Sequence, residues 1–173
     1  MDLKAMGKMA AAGMLAVTIL AAPGMMKAQA AADTVLKPAD MEKLVPASVF
    51  YRGQTATTQV RNSGGVKFAD GYFLLTYMVD TSGYSSDVAA KYQAYFITEV
   101  PIKVVGKPLP AGVYGIGFVA GKFIVTDVGG HDVLITATGN DPALKRPVPL
   151  EVAANPTGGF KLYAGRKFVT ITK

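Results

Sequence analysis

A chain of 173 residues with no cysteine, no tryptophan and a formal charge of +6 excludes thiol catalysis, zinc–thiolate sites and disulfide stapling. Its stability must come from an ordinary hydrophobic core, which a chain of this length can bury. The basic residues are spread along the sequence, with no run that would follow a nucleic-acid backbone, so the charge reads as solubility and nucleic acid is not an expected partner.

Lys4 and Lys8 precede the uncharged apolar run Met9–Ala22, Pro23 and Gly24 break it, and Ala28-Gln29-Ala30 supplies a small-x-small site. About fourteen apolar residues fall short of the roughly twenty that span a bilayer, so residues 1–30 read as a secretory signal peptide cleaved after Ala30. No cysteine follows the run, which excludes lipoprotein processing. The remaining 143 residues, with 15 basic and 11 acidic side chains, are the size of one domain. The expectation is a periplasmic or secreted protein of a bacterial envelope, touching a membrane only through an uncleaved leader.

Residues 31–48 read as a tail and one short helix, Ala39–Val45, with Met41, Leu44 and Val45 on one face and Pro46 ending it. Residues 49–173 read as strands. Thr55–Arg61 is rich in β-branched side chains, and Asn62-Ser63-Gly64-Gly65 is a turn by composition. Tyr72–Val79 is apolar on both alternating faces, which predicts a central strand covered on both sides. Ser86 caps a helical turn through Lys91, Tyr92–Val100 is a strand, and Gly106–Pro110 is a turn. Gly112–Val119 puts Tyr114, Ile116 and Phe118 on one face and Val113, Gly115, Gly117 and Val119 on the other, so something must approach the glycine face closely. Ala120-Gly121 and Gly129-Gly130 join it to Lys122–Val128 and Val133–Thr138 as an antiparallel meander. Asp141–Leu144 suggests a helical turn, Val148–Val152 an edge strand, and Phe160–Tyr163 with Lys167–Thr172 a terminal hairpin across Gly165. The sum is an all-β domain: one antiparallel β-sandwich or flattened barrel of eight to ten strands with one short N-terminal helix.

The only histidine, His131, sits with Asp132 and Asp127 around the Gly129-Gly130 turn. These three are the candidates for a hydrolase-like or metal-dependent site, but no second histidine completes an ordinary zinc or iron set, and no metal or cofactor is expected. None of the serines at 48, 63, 82, 85 and 86 lies in a G-x-S-x-G elbow. The glycines of Gly112–Gly117 run G-x-x-G-x-G inside a strand pattern and cradle no phosphate. Tyr72, Tyr77, Tyr95 and Tyr114 offer flat apolar faces with one hydroxyl each and are the candidate lining of a small-molecule face.

The segment Val105–Tyr114, a G-K-x-L-P-A-G-x-Y hairpin, resembles secreted all-β bacterial domains of unknown function. It departs from them at Phe123, where those domains carry a tryptophan. The resemblance implies a periplasmic or secreted β-sandwich and no catalytic residues. The expected function is that of an exported non-enzymatic envelope protein binding a small apolar or amphipathic ligand or a protein partner; the alternative is the Asp127/His131/Asp132 site.

Overall fold

The computed structural model describes residues 32–173, and the leader assigned to residues 1–30 lies outside them. The described chain enters with β1 (Thr34–Leu36), makes the helix α1 (Pro38–Met41), and continues through β2 (Ser48–Tyr51), β3 (Gln54–Lys67) and β4 (Phe73–Val79). A second helix, α2 (Ser86–Lys91), leads into β5 (Ala94–Thr98), β6 (Ile102–Val104), β7 (Lys107–Leu109), β8 (Gly112–Val119), β9 (Lys122–Thr126) and β10 (Asp132–Ala137). The chain closes with β11 (Gly139–Asn140), β12 (Glu151–Ala154), β13 (Phe160–Ala164) and β14 (Lys167–Thr172). The class is all-β, as the alternating patterns predict.

Every pairing is antiparallel and falls into two sheets. The first runs β1-β3-β4-β5-β8-β9-β10 with β2 beside β3, and the second runs β12-β13-β14-β6-β7 with β11 beside β14. Neither sheet closes on itself, so the flattened barrel is set aside. Fourteen strands among the described residues replace the eight to ten expected. The surplus comes from strands of two to four residues, too short for alternation to reveal. The presumed tail contains one of them, since Thr34–Leu36 pairs with Gly65–Lys67.

Two-sided burial of the central strand is borne out. Leu74 joins a core to which both sheets contribute, with Val66, Phe96, Ile116 and Val125 from the first and Val104, Leu162, Val169 and Ile171 from the second. Leu75, Tyr77 and Val79 point the other way, into a smaller core closed by Met41, Val45, Val49 and Tyr51. The helix α1 therefore caps the outer face of the first sheet. It is shorter than Ala39–Val45, and Leu44, expected on its buried face, is 38% exposed.

Asn62–Gly65 is not a turn. The strand β3 passes straight through it, and its register with β4 jumps from Gln59↔Met78 to Ser63↔Tyr77, leaving Val60, Arg61 and Asn62 as a bulge. Ser63 Oγ donates to the Val60 carbonyl and Asn62 Nδ2 to Gln59 Oε1 at 2.9 Å, so the turn-forming side chains hold the bulge instead. The turn predicted for Gly106–Pro110 shrinks to Val105-Gly106 (φ 49° and 75°), and Lys107–Leu109 is the strand β7. The first residue of α2 follows Ser85, not Ser86, and Asp141–Leu144 forms a turn without helix.

Candidate functional site

The four tyrosines singled out as a binding face occupy three places. Tyr72 is half exposed just before β4, Tyr114 faces the core between the sheets, and Tyr77 and Tyr95 lie on the opposite face of the first sheet as cross-strand partners with rings 5.6 Å apart. Strand alternation requires this split, because neighbouring positions of β4, β5 and β8 point to opposite faces. Tyr77 and Tyr95 belong to a different set. Tyr51 stacks on Tyr92 at 3.8 Å, Tyr84 meets both edge-on, and Tyr92 meets Tyr95 edge-on at 6.3 Å. Tyr51 and Thr126 share a hydroxyl–hydroxyl hydrogen bond of 2.7 Å, and Thr126 Oγ1 donates to the Gly115 carbonyl. The hydroxyls of Tyr77 and Tyr92 have no partner in the structure, and burial pushes both phenols well above their ordinary range. This cluster fills space; it is the packing that the glycine face of β8 receives.

Around the histidine turn, Asp127 is committed to the backbone. Its carboxylate accepts the His131 N–H at 2.9 Å and lies 3.0 Å from His131 Nδ1, while Asp127 N–H donates to the His131 carbonyl. Asp132 turns away, and both its oxygens accept from Lys91 Nζ at 2.8 Å. The structure thus pairs His131 with Asp127 and leaves Asp132 with α2. The His131 side chain is 83% exposed, and no group of three metal-ligating side chains occurs among the described residues. Such a pair closes a turn in open water, where no low-dielectric pocket sharpens a proton transfer. A shallow polar cleft of about 110 Å³ lies nearby, lined by Tyr51, Arg52, Asp87, Lys91 and Thr126.

The same contacts set an acid response. The His131 N–H, then its imidazole, hold Asp127 below the ordinary carboxylate value of 3.8, and Lys173 does the same for Asp70. A carboxyl whose folded pKa is depressed stabilises the fold above its unfolded value, and that contribution is lost as pH falls through the folded value. The carboxylate contribution is therefore expected to be constant above about pH 5, and thermal melting to fall below about pH 4. In Asp127→Asn the acid slope should be shallower; an identical slope in both proteins would remove Asp127 from the account.

A concave feature with a more apolar lining lies elsewhere, where the β3 bulge faces the edge strand of the second sheet. Leu36, Leu150 and Val152 form the floor of a groove of about 200 Å³, with Lys37, Arg61, Asn62 and Val148 at its sides. Gly64 lets the strands meet, since a Cβ there would sit 3.1 Å from the Val152 nitrogen. Lys37 is engaged by Glu151 at 3.2 Å, whereas Arg61 is exposed and has no carboxylate within ion-pair distance among the described residues. Compared with known proteins, the chain matches no family model, no curated sequence and no solved structure. The groove must therefore be read from its own chemistry. Sequence reasoning missed its residues, although the Asn62–Gly65 composition and the prolines at 147 and 149 marked both walls as irregular backbone.

Proposed function

We propose that this is an exported, non-enzymatic binding protein that holds the apolar part of a small amphipathic ligand in the groove between the β3 bulge and β12, with Arg61 meeting an anionic head. In this reading the two sheets form an antiparallel sandwich whose packed core keeps the groove walls fixed. The observation that carries it is an apolar floor beside an unpaired guanidinium. A volume of about 200 Å³ is below the roughly 300 Å³ of a drug-sized site, which favours a short acyl tail or a single ring. The tyrosines support the frame and are not assigned the ligand.

Titration calorimetry with decanoate, a carboxylate on a short alkyl tail, tests this reading. One site is expected, and Arg61→Glu should weaken it roughly tenfold to a hundredfold, the range of one charge-assisted hydrogen bond. Asn62→Trp, which fills the groove, should abolish binding. If both variants bind decanoate as the parent does, or if the parent binds nothing, the proposal falls.

A further inference from the structure

The sequence spreads its cations; the fold gathers them. Residues 100–110 and 139–173, which build the second sheet and its connections, hold eight Lys and Arg against two acidic residues, whereas the rest of the described chain holds seven against nine. Both acidic residues are engaged: Glu151 with Lys37, and Asp141 as acceptor of the Tyr163 hydroxyl at 3.0 Å. Arg166 Nη2 donates to the Leu144 carbonyl, and Asp141 N–H donates to the Arg166 carbonyl, so the pairs Lys145-Arg146 and Arg166-Lys167 meet at one end of the sheet. All four are exposed, and none lies within ion-pair distance of a carboxylate among the described residues.

One exposed apolar side chain, Val148, stands beside these cations, and a second, Val105, lies further along β14. Val148 is 41% exposed, and its carbonyl accepts the Gly165 N–H of the β13–β14 turn. Val105 is 42% exposed, and its N–H donates to the Thr170 carbonyl along β14, with Lys103 and Lys107 flanking it in sequence. Its φ of 49° is a left-handed conformation that a β-branched residue rarely adopts. Arg52 and Ala120 take the same φ before Gly53 and Gly121, but only at Val105 among the three does a β-branched side chain occupy such a turn, exposed and burying little surface.

We infer that this end of the second sheet docks on an anionic phospholipid surface, with the cations meeting headgroup phosphates and Val105 and Val148 entering the interface. Cations flanking solvent-facing apolar side chains are what such an interface attracts. Nucleic acid fits less well, because the aromatic rings at this end of the sheet, Phe168 and Tyr163, are covered. Lys161 Nζ lies 4.3 Å from the Phe168 centroid, a Cβ on Gly139 would fall 2.5 Å from the same ring, and Tyr163 is 6% exposed. This inference is independent of the decanoate reading, since it uses neither the groove floor nor Arg61.

The test is co-sedimentation of the full chain with vesicles of phosphatidylcholine alone or mixed with phosphatidylglycerol. All variants carry the same residues 1–31, so differences between them report on the patch. Tighter partitioning onto the anionic vesicles is expected, abolished by high salt. The variant K145Q/R146Q/R166Q/K167Q should lose roughly a hundredfold or more of it. V105N, which relieves the strained valine, should bind more weakly while melting no lower than the parent, so misfolding cannot explain the loss. The control K43Q/K122Q, with one lysine after α1 and one on β9, should bind as the parent does. Equal partitioning onto both vesicle types, unchanged binding by the quadruple variant, or tighter binding of a single-stranded oligonucleotide in the same buffer would each overturn the inference.

Discussion

Tyr92→Ala is expected to cost about 4 kcal/mol, in the range for truncating a buried aromatic, and to lower the melting temperature by roughly 15 °C. Tyr92 is fully buried where α2 hands over to β5, and its ring touches Tyr51, Tyr84 and Tyr95, so its loss leaves a hole that three stiff neighbours cannot refill. Tyr92→Phe should behave in the opposite sense. The Tyr92 hydroxyl is buried without a partner, and deleting an unsatisfied polar atom is neutral or stabilising by up to about 1 kcal/mol. Denaturant melts of the two variants decide the point. A Phe variant less stable than the parent by 1 kcal/mol or more would mean that the hydroxyl has a partner, such as a buried water.

Gly117→Val should cost about 3 kcal/mol, the upper end of the usual overpacking range. A Cβ at Gly117 would sit 2.5 Å from the Ala90 carbonyl oxygen and 2.8 Å from that of Lys91. These are backbone atoms of the last turn of α2, so relief requires lifting the helix off the sheet. Gly115 differs. Its Cβ would meet Thr126 Oγ1 and Tyr92 at 2.8 Å and Tyr51 at 3.0 Å, all side chains with some freedom to shift. Gly115→Val is therefore expected to cost less than Gly117→Val. A melt in which Gly117→Val matches the parent would show that α2 is not seated there.

The glycine face shows how far alternation alone reaches. The boundaries Gly112–Val119, its two faces and the demand for a close neighbour were all readable from residue order, because a period of two needs no tertiary information. What fills the face was not readable: Tyr51 and Tyr92 arrive from a hairpin and a helix end separated in sequence from β8. That the four tyrosines do not share one face follows from a pattern the sequence already contained. Tyr72 and Tyr77 sit at positions of opposite parity along one strand, so they cannot line one face of it. Asn62–Gly65 misled differently. Its composition favours a turn, yet pairing with β4 on one side and β1 on the other outweighs that local preference, and the conflict survives as the Val60–Asn62 bulge. The cationic end was invisible because some twenty residues separate Lys145-Arg146 from Arg166-Lys167, and only the β13–β14 hairpin brings them together.

The most direct test of the groove is native mass spectrometry of the protein purified from its own host. The expected spectrum shows one added small amphiphile per chain in the parent, absent from Asn62→Trp purified alongside. A parent that carries no added mass, or an adduct that Asn62→Trp keeps, would contradict the assignment of the groove as the binding site.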